Sequence, residues 1–409
     1  MRAQDGNHLT IALAAGGVFA LALGLRQAQP LFISALNSHT GIGYATISLA
    51  FGVAQLMWGV AQPVAGAVAD RWGPRRVMLA GAVLLAAANV ATPFASNAVV
   101  LTLLIGVLAA VGAGAIGPAM LIAAANQRIP EAKRSVMTGI INAGGSFGQF
   151  TIIPLAQLLI GMVGWQPAMV VLGVAGLAAV PLLMAITPGT SAPAVSGASS
   201  GGTLGVALHR AIRDPSFLLL NAGFFTCGFH VAFIATHLPG VAALCGMPAS
   251  VSAWSLATIG LFNILGSLSI GKAIQTVSMK YALAAIYFVR ALLILVFFFA
   301  AKTPVTFLLF AAGIGFTYLS TVPPTVGLVA KLLGARYVAT LFGIVMLSHQ
   351  IGGFLGAWLG GKAFEATRNY DWMWLADITL CLFAAVVHLP IREPRRVPVA
   401  APPRLSQAT

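Results

Sequence analysis

Several apolar runs in this chain are too long to be buried in a soluble core. Residues 79–96, 99–125 and 281–301 carry at most one charge each, and about 20 helical residues suffice to cross the ~30 Å hydrocarbon layer of a bilayer. Because lipid offers no partners to bare backbone groups, such runs are expected to be α-helices. Only 7% of the residues are charged, against roughly 25% in soluble domains, so most of the predicted surface faces lipid.

Short polar breaks divide the chain into twelve such runs, six in each half. The stretch 188–215 between the halves is rich in Gly, Ser, Ala and Pro before it becomes basic, which indicates a flexible linker. The sequence therefore predicts an all-α membrane protein with twelve transmembrane helices in two six-helix bundles. The predicted parts are an N-terminal bundle (1–187), a cytoplasmic linker (188–215) and a C-terminal bundle with a short basic tail (216–409).

The two halves also share a weak internal repeat. Gly148 in the fifth predicted span corresponds to Gly352 in the eleventh, and the same offset places His230 of the seventh span opposite Arg26 of the first. Parallel repeats of this kind place the substrate site at their interface, near the middle of the membrane. The two bundles are therefore expected to be pseudo-symmetric, with a site between them.

Basic residues are distributed unevenly over the predicted loops. If the spans alternate in direction, most of the 22 Lys and Arg residues fall on one side, and only Lys302, Lys362 and Arg368 fall on the other. The positive-inside rule predicts that the basic side is cytoplasmic, with both termini there, as in a multi-pass protein of a bacterial inner membrane. The net charge of +14 then reflects membrane topology, and no nucleic-acid partner is expected.

A dense local motif, GAVADRWGPRR, begins at Gly66 and runs from the end of the second predicted span into the next loop. It resembles the signature loop of the major facilitator superfamily of transporters, and the span count, linker and duplication extend the resemblance over nearly the whole chain. The resemblance implies two bundles that rock around a central site. It also implies a conformational latch formed by Gly66, Asp70, Arg71, Gly73 and Arg75.

In that latch, Asp70 is expected to lie near the positive N-terminal end of a neighbouring helix and to pair with an Arg. The alternative is that the loop only anchors the protein by its positive charge. The corresponding loop of the second half, residues 271–280, contains no acid, so a charged latch is expected at one place only.

Arg26 lies deep in the first predicted span, where a charge in lipid costs roughly 3 kcal/mol or more. We therefore expect it to face the protein interior, with Gln29 on the same helix face and Pro30 loosening the helix beside it. Its guanidinium could bind an anionic substrate through forked hydrogen bonds. Alternatively, Arg26 is a structural residue bonded to backbone carbonyls.

Other polar residues inside predicted spans extend the candidate substrate site. His230 and His349 could each accept a proton near neutral pH. The resemblance also places the second, fifth, eighth and tenth helices along a central cavity, and these helices contribute Gln55, Asn142, Asn263 and Tyr318. Each of the four could instead form hydrogen bonds between helices. Arg290 lies in the ninth span, which is peripheral in the family pattern, so packing or lipid contact is the preferred interpretation.

The acidic residues are all expected to lie away from the middle of the membrane. Exporters that exchange protons for cationic drugs need a buried carboxylate. A buried cation without a buried acid therefore favours an anionic substrate. The eight acids are Asp5, Asp70, Glu131, Asp214, Glu365, Asp371, Asp377 and Glu393.

The region around the fifth span narrows the resemblance to the oxalate/formate exchangers and monocarboxylate porters. It carries their Arg, Gly and Ala-Gly pattern as Arg134, Gly139 and Ala143-Gly144. Those families place a carboxylate-binding Arg in the eighth span, but here that span has Asn263 and no Arg. If this chain binds a carboxylate, Arg26 must do so from the other half.

We therefore expect a monomeric symporter that moves small organic anions, specifically monocarboxylates, together with protons. The main alternative is an exporter of neutral or amphipathic toxic compounds, and a non-transporting membrane sensor is a second one. The sequence shows no nucleophile, base and orienting group at a plausible spacing, so no enzyme is expected. The three cysteines are far apart and show no metal spacing, and neither metal nor cofactor is expected.

Overall fold

The computed structural model describes residues 2–186, 204–334 and 337–394. Within these ranges the chain is helical without strands, and twelve helices are long and apolar enough to cross a membrane, as predicted. In chain order they are α1 (His8–Thr40), α2 (Tyr44–Trp72), α3 (Pro74–Phe94), α4 (Ala98–Asn126), α5 (Glu131–Val163), α6 (Trp165–Ile186), α7 (Pro215–Leu244), α8 (Ala249–Ala273), α9 (Met279–Phe299), α10 (Pro304–Leu333), α11 (Thr340–Thr367) and α12 (Asp371–His388).

The first six spans form one bundle and the last six form another, and both are built on the same helix pair. In the first bundle α1 lies against α5, and in the second α7 lies against α11. A Cβ at Gly148 would lie 2.0 Å from the carbonyl oxygen of Ala20, and one at Gly352 would lie 2.0 Å from that of Phe225. Only glycine permits these contacts, so the repeated glycines have the same packing role in both halves.

Several spans depart from regular α-helix partway along their length, and the interruptions in α1 and α10 bear on the site. α1 changes to a 3-10 turn at Gln29–Phe32, so its regular α-helical geometry is interrupted at Pro30, where the sequence predicted a loosened helix. α10 is broken between Thr317 and Val322, just before two consecutive prolines. Helix ends leave carbonyl groups without helical partners, so the break in α10 needs hydrogen-bond donors from elsewhere in the fold.

The bundles meet along α2–α11 and α5–α8, but over only part of their length. Near the start of α2, Ser48 lies against Gly361 of α11, whereas Gly66 and Gly343 at the other end of this helix pair face open space. The α5–α8 pair is open at the same end, at Gly139. We call the end at the α2–α3 loop the basic side. Close contacts between α2 and α11 are therefore found towards the opposite side and not at these glycines on the basic side.

Part of the segment between the bundles is helical. Leu204–Arg213 forms a surface helix whose Ala211 is buried together with Phe217 of α7, and Asp214 caps α7 by accepting a 2.7 Å bond from the backbone N–H of Ser216. The expectation of a flexible linker is therefore wrong for residues 204–213. The apolar spacing of LGVALHRAIR suits an amphipathic helix. Residues 187–203, which carry the rest of the predicted linker, lie outside the described ranges.

Candidate substrate chamber between the bundles

Arg26 of α1 lies in the contact zone between the bundles. Its guanidinium donates a hydrogen bond to Oε1 of Gln55 on α2, and its Cζ stands 4.8 Å from the ring centroid of Trp58. No acidic side chain of the described residues forms an ion pair with it. The side chain is half-buried. Arg26 is therefore a cation held by a neutral amide and an aromatic face.

A small cavity of about 20 Å³ lies beside Arg26 and has both bundles in its wall. This volume is about that of one water molecule, so the chamber must widen to admit a larger ligand. One wall comes from α1 and α2 and the other from α7. The lining residues are Arg26, Gln27, Gln29, Pro30, Phe51, Ala54, Gln55, Ala235 and Thr236.

Three predicted site residues, Arg26, Gln29 and Gln55, line this chamber. Gln55 is bonded to Arg26, and Gln29 lines the same cavity while donating a 3.2 Å hydrogen bond to Oδ1 of Asn89 on α3. Tyr318 of α10 does not line the cavity but lies within electrostatic reach of Arg26. The chamber is thus polar on its α1 and α2 side, and each amide has a position fixed by a neighbour.

The break in α10 is tied to both bundles. The hydroxyl of Tyr318 donates to the carbonyl of Val231 on α7 at 3.1 Å, and the backbone N–H of Leu319 donates to Oδ1 of Asn263 on α8 at 3.0 Å. Asn263 in turn donates to Oγ of Ser146 on α5 at 2.9 Å. Asn263 therefore links the broken helix of one bundle to the other bundle.

Arg290 of α9 donates hydrogen bonds to the same break in α10. It is fully buried, and its guanidinium donates to the carbonyl oxygen of Thr317 and, at 2.6 Å, to that of Tyr318. It also lies 3.4 Å from Sγ of Cys227 and over the ring of Tyr287. A cation with these donors compensates carbonyls that a helix end leaves without partners. Arg290 has the packing role preferred from the sequence, and it does not face lipid.

His230 lies away from the chamber and inside the C-terminal bundle. Its Nδ1 is 2.8 Å from Oδ2 of Asp377 on α12, and both side chains are fully buried. The expectation that no acid lies inside the protein within the membrane is therefore wrong for Asp377. The sequence places Asp377 only six residues after the start of α12, but the rotation of that helix turns it inwards, and His230 offsets the cost of its burial.

The remaining candidates for the substrate site are separate from the chamber. His349 of α11 is nearly buried, with its ring 5.1 Å from that of Phe224 and close to Cys227. Asn142 of α5 is exposed. Neither residue lines the cavity at Arg26, and a role for either in binding stays a prediction.

The predicted latch lies at the basic side. Asp70 and Arg71 are exposed, Arg75 is half-buried, and Asp70 forms no ion pair with a described residue. Gly73 has a φ of 86° where α2 turns into α3, a conformation that favours glycine, and Gly66 faces open space. In this conformation the latch is not engaged, so its function stays a prediction.

Several residues that line the chamber or surround it were not predicted, and neither was the buried acid of the C-terminal bundle. Trp58 follows Gln55 by three positions, and this helical spacing was an available signal for a shared face. Thr236 carries no signal that separates it from other small residues in α7. Asp377 is an acid within a long apolar stretch, which in a membrane segment marks a functional candidate.

These features define a helical membrane protein of two six-helix bundles with a polar chamber between them. Residues 13–357 match the Major Facilitator Superfamily, and the chain belongs to this superfamily of transporters. It is 24% identical over 385 residues to the uncharacterized MFS-type transporter YcxA of Bacillus subtilis, covering 91% of this chain and 92% of that protein.

A second relative is human Monocarboxylate transporter 11, which is 26% identical over 407 residues, covering 96% of this chain and 84% of the relative. Among solved structures, the fold is similar to that of a bacterial homolog of the human lysosomal transporter Spinster. The TM-score is 0.75 at 14% identity, over 93% of this chain and 96% of that one. This structural similarity supports the two-bundle fold.

Proposed function

We propose that this transporter carries small organic anions, specifically monocarboxylates, together with protons, and that Arg26 binds the carboxylate. One observation carries the proposal: Arg26 is a cation between the bundles, and its partners Gln55 and Trp58 are both neutral. A guanidinium fork matches the two oxygens of a carboxylate. Relatives named monocarboxylate transporters, such as the human protein, support the same substrate class.

The walls of the chamber strengthen this attraction. Phe51, Ala54 and Ala235 are apolar, and a charge pair is stronger in such surroundings than in water. A neutral substrate would gain less from the guanidinium than a carboxylate, and a cationic one would be repelled by it. Asp377 gives no support to cation export, because it is paired with His230 and does not line the chamber.

The conformation bears on the side of the membrane from which the substrate reaches the chamber. We infer that the basic side is cytoplasmic, with both termini there, in a bacterial inner membrane. Because α2 and α11 are in close contact near the opposite side, the substrate would reach the chamber from the cytoplasm in this state. Rocking of the bundles would close the cytoplasmic side around Asp70. We also propose a monomer as the working unit.

Transport by purified protein in proteoliposomes tests the proposal. Uptake of radiolabelled lactate, pyruvate and oxalate under an inward proton gradient is measured for the wild type, Arg26→Ala and Arg26→Lys. We expect uptake of at least one acid by the wild type, none by Arg26→Ala, and weakened uptake by Arg26→Lys, which keeps the charge but loses the fork. Arg213→Ala, at an exposed position of the surface helix, is the matched control. Full uptake by Arg26→Ala, or a wild type that carries only neutral or cationic compounds, would contradict the proposal.

A further inference from the structure

A buried acid–base pair lies inside the C-terminal bundle and is not part of the chamber. His230 of α7 and Asp377 of α12 are both fully buried, with Nδ1 and Oδ2 2.8 Å apart. Titratable side chains inside a membrane protein are costly, and His and Asp pairs there are typical of proton pathways. The pair therefore needs an explanation beyond packing.

The hydrogen bonds of the pair are incomplete. Within the described ranges, Oδ1 of Asp377 accepts a hydrogen bond only from Sγ of Cys381, at 3.8 Å, although an ionised carboxylate can accept about four hydrogen bonds. Nε2 of His230 is buried and has no hydrogen-bond partner within the described ranges. The pair thus retains both a free acceptor on the acid and a free ring nitrogen on the base, and either atom can take up a proton.

Arg290 lies next to residues that neighbour the pair on both of its helices. It contacts Cys227, which lies one helical turn before His230, and it interacts electrostatically with Cys381, which lies one turn after Asp377. When the pair has lost its proton, the negative carboxylate and the positive guanidinium offset each other within one bundle. Other titratable groups that surround this network are Cys227 of α7, Tyr287 of α9, Tyr318 of α10, His349 of α11 and Cys381 of α12.

The network reaches the substrate chamber through the break in α10. Arg290 donates to the carbonyl of Tyr318, and the hydroxyl of Tyr318 donates to the carbonyl of Val231, the residue after His230. The same helix, α7, contributes Thr236 to the chamber wall. A change of charge at the pair therefore acts on Arg290, which holds the broken helix, and on the helix that lines the chamber.

A second cavity approaches the pair from the opposite side of the membrane. Its volume is about 270 Å³, and Val241, Tyr370 and Trp374 line part of it. Trp374 lies one turn before Asp377 in α12, and its ring is 4.9 Å from that of Phe233, which lies one turn after His230. The Trp374 ring, which lines the cavity, thus packs against a residue one turn from His230.

We propose that the His230–Asp377 pair binds the proton that is carried together with the substrate. This inference rests on the proposed function, because a coupling proton requires a coupled substrate. In each cycle the pair takes one proton from one side and releases it to the other, while Arg26 carries one carboxylate. The two added charges cancel, so the loaded and the empty protein have the same net charge within the membrane.

Infrared spectroscopy tests proton binding without any substrate. pH-difference spectra of the purified protein should show the carbonyl band of a protonated carboxylic acid that is absent in Asp377→Asn. Glu131→Gln, which removes an exposed acid at the start of α5, should keep that band. If neither a carboxylic-acid band that depends on Asp377 nor an imidazolium band that depends on His230 appears at any pH at which the protein stays folded, the pair does not bind a proton, and the inference is overturned.

Transport separates this inference from the proposed function. With lactate or pyruvate in proteoliposomes, Asp377→Asn should still exchange internal for external substrate but should no longer accumulate it under a proton gradient or acidify the lumen. Retained exchange also shows that the variant is folded. Proton-driven accumulation by Asp377→Asn would overturn the inference and leave the proposed function intact. If the wild type transports no carboxylate, the proposed function is overturned. The infrared result alone would then decide whether the pair binds a proton.

Discussion

Glu365 of α11 accepts a hydrogen bond from the backbone N–H of Ala45 in the first turn of α2, over 2.8 Å. A Cβ on Gly43, the residue that caps α2, would lie 2.7 Å from the same carboxylate, so the contact is close on both sides. It joins the two bundles at the opposite side. The basic-side end of the same helix pair carries Asp70, which is unpaired among the described residues. The α2–α11 helix pair therefore carries an acid near each end. Glu365 is hydrogen-bonded at the opposite side, and Asp70 at the basic side forms no ion pair with a described residue.

Replacing Glu365 should loosen the closed opposite side. A carboxylate at a helix N-terminus contributes about 0.3–1 kcal/mol, so Glu365→Gln should raise the population open to that side by roughly two- to fivefold. Spin labels at Ser38 and Ser250, exposed near that side in different bundles, would report the change as longer distances, with Cys245 replaced by Ser. Asp371→Asn removes an exposed acid on the same side and should leave the distances unchanged; an equal shift there would refute the specific contact.

Asp70→Asn should cripple transport with near-normal folding and substrate binding. Asp70 makes no ion pair with a described residue in the present conformation, so its loss costs little stability here. The substitution should instead destabilise the conformation that is closed at the basic side, in which Asp70 is expected to contact a helix N-terminus. Transport rate and thermal stability should be measured on the same preparations. Unchanged transport would remove Asp70 from the mechanism.

Arg290→Met should destabilise the protein strongly. The substitution keeps much of the side-chain volume but leaves the carbonyls of Thr317 and Tyr318 without their donor in a buried position. At about 1–3 kcal/mol for each unsatisfied group, the loss is roughly 2–6 kcal/mol. The melting temperature in detergent measures it, and Arg290→Lys should recover part of the loss because an ammonium can still donate. A melting temperature equal to that of the wild type in Arg290→Met would show that the break in α10 does not need this residue.

Glu393, which follows α12 on the basic side, joins two other segments of the C-terminal bundle. Its carboxylate accepts from Nζ of Lys331 at 2.5 Å, from Oγ of Ser278 at 2.6 Å and from the backbone N–H of Lys280 at 3.2 Å. Burial by itself raises the pKa of this carboxyl, but the three donors outweigh it and hold the pKa below its usual value. The stabilisation is therefore present above the unfolded-state pKa and is lost as the pH falls through the lower folded-state pKa.

Glu393→Gln should accordingly lower the melting temperature at neutral pH. The difference from the wild type should shrink as the pH falls below the usual carboxyl range, because the wild-type carboxyl then also loses its charge. Scanning fluorimetry across pH measures both proteins under the same conditions. A difference that stays constant down to the acid limit of folding would contradict the assignment.

The number of spans, the repeat and the turn at Pro30 could be predicted from the sequence, because each rests on a local signal. Length and hydropathy define a span, a constant offset defines a repeat, and proline cannot donate a helical hydrogen bond. Arg26, Gln29 and Gln55 could likewise be placed near one another, since a charge and amides within apolar spans have to face the interior.

The pairing of His230 with Asp377 could not be predicted in the same way. In a soluble helix the apolar stripe shows which face is buried, but in α12 both the lipid-facing and the interior faces are apolar, so the pattern does not give the rotation of the helix. The partners of the break in α10 were hidden for a similar reason. Two adjacent prolines indicate a break, but only the packing of α9 shows that Arg290 supplies the donors.

The central claim is that Arg26 binds a carboxylate, and a comparison of lactate with its neutral amide tests it most directly. A ligand at 100 times its Kd raises the free energy of unfolding by about 2.7 kcal/mol, which is measurable as a thermal shift. The account predicts that lactate stabilises the purified wild type, that lactamide does not, and that Arg26→Ala responds to neither while its own melting temperature stays near that of the wild type. Equal stabilisation by lactate and lactamide, or equal stabilisation of the wild type and Arg26→Ala by lactate, would contradict it.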